Sequence, residues 1–213
     1  GGVDHACRAL VTVSAAFPTF FVGLLFVYLF YFLLGWAPQP LGRLDEIAFS
    51  PPPRVTGAYT IDALIAGDWP VLRAALAQLI LPAISLGLFA LAPIARITRA
   101  AMLEALSSDF IRTARASGLP VRKILMTYAF RNVLLPVSSV LGMVFSFLLG
   151  SNVLIEQVFG WQGVGAYAVA AVIASDYAAV QGFVLMMALL YVLLNLLVDV
   201  FATLVDPRVR FEG

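Results

Sequence analysis

Of the 213 residues in this chain, 62% are hydrophobic and only 12% are charged, whereas soluble domains carry about 25% charged residues. A formal net charge of +1 gives no bulk attraction to nucleic acid. With a single cysteine and a single histidine, the chain has no internal disulfide and no histidine-based metal or catalytic cluster. We therefore expect no catalytic residue, no cofactor and no metal in this chain.

Four runs of the sequence contain no Asp, Glu, Lys or Arg, and each has at least 22 residues: 9–36, 74–95, 132–155 and 177–198. About 20 apolar residues of helix cross the core of a bilayer. A soluble domain hardly needs four such runs, because its helices keep one polar face. The runs predict an all-α, polytopic transmembrane bundle in a single domain, residues 1–213. The predicted spans lie at about 9–36, 74–97, 132–153 and 177–203.

The basic residues predict an orientation, because Lys and Arg in short loops mark the cytoplasmic side of a membrane. With the connection 98–131 inside, ten basic residues lie inside and three outside. The inner ones are Arg8, Arg96, Arg99, Arg112, Arg115, Arg122, Lys123, Arg131, Arg208 and Arg210; the outer ones are Arg43, Arg54 and Arg73. We therefore expect external connections at about 37–73 and 154–176, where the acidic residues gather.

The first external connection is rich in proline, which predicts an irregular loop with one short helix at about 61–67. In the second, Gly160, Gly163 and Gly165 interrupt the chain before a small apolar helix or re-entrant segment at about 166–174. No strand precedes these glycines, so a dinucleotide fingerprint is disfavoured; a tight turn or a contact with a binding protein fits better.

The cytoplasmic connection contains an amphipathic segment. Residues 107–109 (Ser-Ser-Asp) predict a break and an N-cap, with a second short helix from about Phe110. Gly118 suits its C-cap, and Pro120 suits the first turn of the next helix. From the residues alone, two interpretations stay open: a surface helix on the lipid headgroups, or a docking helix for a cytoplasmic partner.

Two acidic residues border the spans. Glu156, at the outer end of the third span, either caps a turn or faces the transport pathway. Asp199, near the inner end of the last span, either lies at the headgroups, pairing with an arginine such as Arg96, or forms a proton or cation site. The single lysine, Lys123, is not preceded by a glycine-rich loop, so the chain has no nucleotide-binding P-loop and does not hydrolyse ATP.

A series of short matches, in one order, covers nearly the whole chain and resembles the B-type permease subunit of ABC importers of the oligopeptide, dipeptide and nickel branch. It centres on residues 113–119 (Thr-Ala-Arg-Ala-Ser-Gly-Leu), which resemble the "EAA" loop of these permeases. The other matches are Arg131-Asn132, Leu135-Pro136, Gly150-Ser151, 156–159, 163–165, Asp176-Tyr177, Asp199 and 206–208. Arg112-Thr113-Ala114 stands where the general motif has Glu-Ala-Ala, and Leu135-Pro136 comes later than in the general pattern. Both departures are usual in the peptide branch.

The resemblance implies a type I permease fold, lacking the first transmembrane helix and the external segment of the family. It implies a bacterial or archaeal cell-membrane protein (the inner membrane if Gram-negative) that is not itself an enzyme. The implied partners are a second homologous permease subunit, two cytoplasmic ATP-binding subunits, an external solute-binding protein and membrane lipid. The loop that couples to the ATPases comprises Arg112, Thr113, Ala114, Arg115 and Gly118, with Ala114 small enough for close approach.

The implied cargo is a di- or oligopeptide, with nickel or another small solute as the alternative. Two rival hypotheses come from other classes. One is an ion-coupled secondary transporter or channel that uses Asp199 and Glu156, and the other is a purely structural membrane subunit.

Overall fold

The structure, a computed structural model, describes residues 16–205, except for the side chain of Val205. Over this part of the chain it contains helices, turns and no strand, which confirms the all-α prediction. In chain order the helices are α1 (Thr19–Phe26) with a π-helical continuation (Val27–Leu33), α2 (Tyr59–Ala66), α3 (Trp69–Ser107), α4 (Asp109–Ala116), α5 (Val121–Lys123) with a second π-helical segment (Ile124–Ala129), α6 (Phe130–Val158), α7 (Val164–Ile173) and α8 (Tyr177–Val205).

Three helical stretches of the described chain are long and apolar enough to cross a membrane: Trp69–Ser107, Val121–Val158 and Tyr177–Leu204. α3 has 39 residues, about 58 Å at 1.5 Å per residue, nearly twice the thickness of a bilayer core. It therefore continues well past residue 97, where the sequence places the end of the second span. The predicted loop 98–131 is mostly helical, because leaving the apolar region does not end a helix unless a breaking residue comes next.

The first predicted span, 9–36, corresponds in the described residues to α1 and its π-helical continuation, which end at Leu33. Residues 9–15 lie outside the described part. Pro18 has an extended backbone (φ −60°, ψ 145°) and directly precedes α1 as its N-cap residue. Pro82, Pro93 and Pro136 lie within helices, in α3 and α6.

The described chain divides into two compact units, residues 16–89 with 149–184 and residues 90–148 with 185–205. In the first unit, α1 packs against a buried cluster of Leu81, Ile155 and Phe159. It does so at Gly23, where an added Cβ would lie 3.2 Å from the Phe159 ring. In the second unit, the core gathers residues of α3, α4, α6 and the segment before α6: Ala105, Ile111, Ala114, Ile124, Ala129 and Val133.

The first connection is folded around a buried carboxylate. Asp62 on α2 is 1% exposed and accepts hydrogen bonds from the Thr56 backbone N–H (2.7 Å), the Thr56 hydroxyl (2.7 Å) and the Gly57 N–H (3.0 Å). These bonds, the Thr56 N–H first, hold the pKa of Asp62 below its ordinary value. α2 ends at Gly67 with φ +71°, so the short helix predicted at 61–67 is confirmed.

Candidate functional site

The predicted cytoplasmic connection contains a separate short helix, α4, as the sequence indicates. Ser108 has an extended backbone (φ −70°, ψ 154°) that interrupts the helix after α3. α4 therefore begins at Asp109, one residue earlier than predicted. Gly118 comes just after the helix with φ +71°, a conformation that favours glycine. Its N–H donates to the Arg115 carbonyl (3.0 Å), which closes the helix end. The C-cap itself is Ser117, so the predicted glycine lies one residue later, where the chain turns in the left-handed conformation.

The inner face of α4 packs on the chain itself. Ile111 is fully buried and Ala114 is 7% exposed, and both belong to the cluster that includes Ala105 of α3 and Val133 of α6. The small side chain of Ala114 therefore permits close packing within this chain. The close approach of a partner to Ala114, which the family resemblance implies, stays a prediction.

The outer face of α4 is polar and accessible. Arg112, Thr113 and Arg115 are all exposed, and Gly118 lies exposed just beyond them. The Arg112 guanidinium lies 3.5 Å from the Asp109 carboxylate, with 85% and 95% of the two side chains exposed. A pair this exposed holds its side chains weakly. Arg112 is thus free to exchange that contact for one with another molecule.

Glu156 lies near the end of α6, and it is 6% exposed. Its Oε1 accepts a hydrogen bond from the Asn152 side-chain amide (2.6 Å), and its Oε2 accepts one from the Ala166 backbone N–H (2.8 Å). Ala166 is in the first turn of α7, whose N-cap residue is Gly163 and has no side chain. The carboxylate caps α7 from outside the helix, which favours the capping role over a position in the pathway.

Two glycines make room for this carboxylate. A Cβ added to Gly163 would overlap the Glu156 carboxylate, and one added to Gly165 would lie 2.9 Å from Glu156 Oε2. The turn between α6 and α7 also seats the first connection, since the Gly42 N–H donates to the Phe159 carbonyl (3.0 Å). The tight turn predicted for the glycine-rich sequence is confirmed.

Asp199 is exposed on α8. A bond to Arg96 is not among the ion pairs of the described residues. Asn195, one turn earlier, donates its side-chain amide to the Tyr191 carbonyl of the same helix (2.8 Å). The structure therefore does not bring Asp199, Asn195 and Arg96 together into a site.

Sequence reasoning missed the anchoring role of Asp62 and the space that two glycines make for Glu156. Asp62 is the single charged residue of α2, in the sequence Tyr-Thr-Ile-Asp-Ala-Leu-Ile-Ala, and a lone acid in an apolar helix is a signal that could have identified it. Gly163 and Gly165 are visible as helix breakers. That they make space for Glu156 is evident only from the fold.

The fold and the sequence together define an all-α, polytopic membrane protein, and comparison with known proteins gives its family. Residues 2–211 match the family described as the binding-protein-dependent transport system inner membrane component. The chain belongs to this family of polytopic membrane permeases.

Three relatives show its similarity to peptide permeases. The probable D,D-dipeptide transport system permease protein DdpB of Escherichia coli K12 is 45% identical over 211 residues, which are 99% of this chain and 62% of the relative. The di/tripeptide permease DppB of Pseudomonas aeruginosa is 40% identical over 98% of this chain and 61% of the relative. The dipeptide permease DppB of Escherichia coli K12 is 39% identical over 98% of this chain and 62% of the relative. This chain thus spans about three fifths of the length of these relatives.

Proposed function

We propose that this chain is the membrane-spanning permease part of an ATP-driven, binding-protein-dependent importer of di- or oligopeptides. Its family is one of transport components, and three similar proteins are named dipeptide or di/tripeptide permeases. In the proposed complex it pairs with a second permease subunit, two cytoplasmic ATPases and an external binding protein. ATP hydrolysis belongs to the ATPases, and this chain forms the pathway.

The observation that carries this proposal is the two-sided structure of α4. Arg112, Thr113 and Arg115 face outward, where their charges and hydroxyl suit acidic and carbonyl groups of an ATPase. Ile111 on the other side is buried against residues of α3 and α6. A force applied to the exposed side is therefore passed by close packing to the ends of two apolar helices, because packed interiors transmit displacement.

Gly118 offers a test with a matched control. Gly118 and Gly67 both have φ +71°, and an added Cβ at either would meet nothing within 4 Å. Gly118→Trp and Gly67→Trp, each in the complete transporter, thus introduce similar backbone strain, on the order of 1–2 kcal/mol. We expect both proteins to insert normally and only Gly118→Trp to lose peptide uptake and co-purification of the ATPase. Equal uptake by the two variants would overturn the coupling role.

The source of energy separates an importer from an ion-coupled carrier. We expect orthovanadate to abolish peptide uptake by the complete transporter in proteoliposomes and a protonophore to leave it intact. Glu156→Gln adds a second arm, because a capping side chain needs its oxygen for the Ala166 N–H and needs no titratable group. Uptake driven by a proton gradient, and lost in Glu156→Gln, would favour the carrier instead.

The cargo is the finer part of the proposal. In importers of this kind the external binding protein largely sets selectivity, so peptides are proposed from the names of the relatives, and nickel or another small solute remains the alternative. Competition with labelled dipeptide in the reconstituted transporter measures it directly. Uptake that dipeptides fail to inhibit, and nickel inhibits, would reverse the assignment.

A further inference from the structure

An open groove of about 400 Å³ lies in the second unit, beside the start of α6 and the end of α8. Its lining residues come from the π-helical segment, from α6 and from α8: Met126, Thr127, Phe130, Arg131, Leu134 and Leu204. It shares no residue with the exposed face of α4 or with the Glu156 cap. Its chemistry is therefore separate from the coupling surface.

The lining is apolar except at one place. Met126 is 66% exposed, Phe130 43% and Leu204 77%, so the described chain leaves this apolar surface uncovered. Arg131 is the one charged side chain among the described residues that line the groove, and it is exposed. Thr127, one turn before Arg131, adds a hydroxyl that can donate a hydrogen bond. The groove thus joins a cation and a donor to an apolar trough.

The orientation that the basic residues predict places the groove on the cytoplasmic side of the membrane. Arg131 lies at the cytoplasmic end of the third predicted span, inside the helical stretch Val121–Val158 and just after a connection rich in arginine. The cytoplasmic leaflet carries the anionic lipids of a membrane, and basic pockets between transmembrane helices on that side bind their headgroups. An arginine at the end of a span reaches the headgroup level while its stem lies along apolar surface.

We propose that this groove is a binding site for an anionic phospholipid of the inner leaflet. The lipid phosphate pairs with the Arg131 guanidinium and accepts from the Thr127 hydroxyl, and one acyl chain lies along Phe130, Leu134 and Leu204. A phospholipid supplies the anion and the apolar chain in one molecule at this depth. This site goes beyond peptide import and does not depend on it.

Native mass spectrometry of the complete transporter, titrated with phosphatidylglycerol or phosphatidylcholine, tests the site. We expect one phosphatidylglycerol to bind more tightly than phosphatidylcholine, and Arg131→Gln to weaken that binding about tenfold. Arg122→Gln is the matched control, since it removes an exposed cation of the same region that does not line the groove. Equal loss in both variants, or no preference for phosphatidylglycerol in the parent, would refute the site.

Leu134→Trp tests the apolar half of the site, because it fills the trough and leaves the guanidinium in place. We expect it to lose the tight phosphatidylglycerol while the complex keeps its melting temperature; retention of the lipid would contradict the acyl-chain position. A photoreactive residue in place of Met126 then identifies the occupant in membranes. Cross-links to phospholipid support the proposal, whereas cross-links to another subunit, or to residues 206–213 of this chain, overturn it.

Discussion

The connections predicted to lie outside the membrane and the one predicted to lie inside differ in where they place charge. Outside, an apolar cluster (Leu44, Ala63, Val71 and Ala75) is joined by buried carboxylates: Asp62 accepts hydrogen bonds from N–H groups of a loop, and Glu156 caps α7. On α7 the small residues Ala168 and Ala171 are buried, whereas Tyr167 and Ile173 are 57% and 79% exposed. Inside, α4 is held by apolar contacts, and its charges are exposed.

On each side, the buried side chains that anchor a connection and the exposed side chains that can meet another molecule are of different polarity. Where charge is buried in the anchor, as in the outer connections, the exposed surface is free to be apolar and to meet lipid or another apolar protein surface. Where the anchor is apolar alone, as under α4, the exposed surface is free to carry charge. The two kinds of connection should therefore respond differently to substitution and to pH.

The largest effect is expected for Ile111→Ala, which leaves a cavity under α4. Replacing a fully buried isoleucine by alanine costs about 2–5 kcal/mol, and this cost falls on the seat of the proposed coupling helix. Phe110→Ala is the control, because Phe110, the neighbour in sequence, is 45% exposed. Chemical denaturation in detergent measures both variants. Similar destabilisation of the two would mean that α4 is not anchored by its inner face.

Gly165→Ala should have the next largest effect, on the outer side. Its added Cβ would lie 2.7 Å from the Val153 Cα and 2.9 Å from Glu156 Oε2, so backbone must shift. Such overpacking costs about 1–3 kcal/mol. Gly182→Ala meets nothing within 4 Å and should be neutral or stabilising. Melting temperatures compare the two variants, and a tolerated Gly165→Ala would contradict the close approach of α6 and α7.

Acid should loosen the first external connection selectively. The pKa of Asp62 is lowered in the folded chain, chiefly by the Thr56 N–H, so its contribution to stability is present above the ordinary carboxyl pKa of about 4. That contribution is lost as the pH falls through the lowered pKa. Hydrogen exchange at Thr56 and Gly57, corrected for intrinsic rates, should lose protection there, while the amides of α4 do not. Asp62→Asn is the control, because its amide does not titrate, so protection at Thr56 and Gly57 in this variant should not change over the same pH range. An equal acid-dependent loss in the variant and the parent would contradict the role of the Asp62 carboxylate.

The smallest effect is expected for Asp109→Asn on α4. The carboxylate and its partner Arg112 are almost fully exposed, and such pairs contribute little to stability. We expect a melting temperature within the error of the parent protein. A clear fall would show that charge, and not only apolar packing, holds α4 in place.

The sequence predicted most of the elements and fewer of the contacts. The break before α4, the short α2 and the glycine at the end of α4 all arise from local backbone preferences, which a single segment contains. Charge-free runs indicate the part of a helix that crosses the membrane, so the second predicted span ends at about 97 although α3 continues to Ser107. The inward side of Ala114, and the choice between the two predicted roles of Glu156, depend on residues that meet only after folding.

The π-helical segment Ile124–Ala129 gives the second unit an unusual dependence on residue count. Its first and last residues, Ile124 and Ala129, are both buried in the cluster beneath α4. One residue more or fewer in a helical segment turns the part of the helix before it by about 100° relative to the part after it. If these wide turns tightened into an ordinary α-helix, the part of the helix that carries Ile124 would therefore rotate relative to the part that carries Ala129. The packing surface beneath α4 would then change shape although no side chain had been altered.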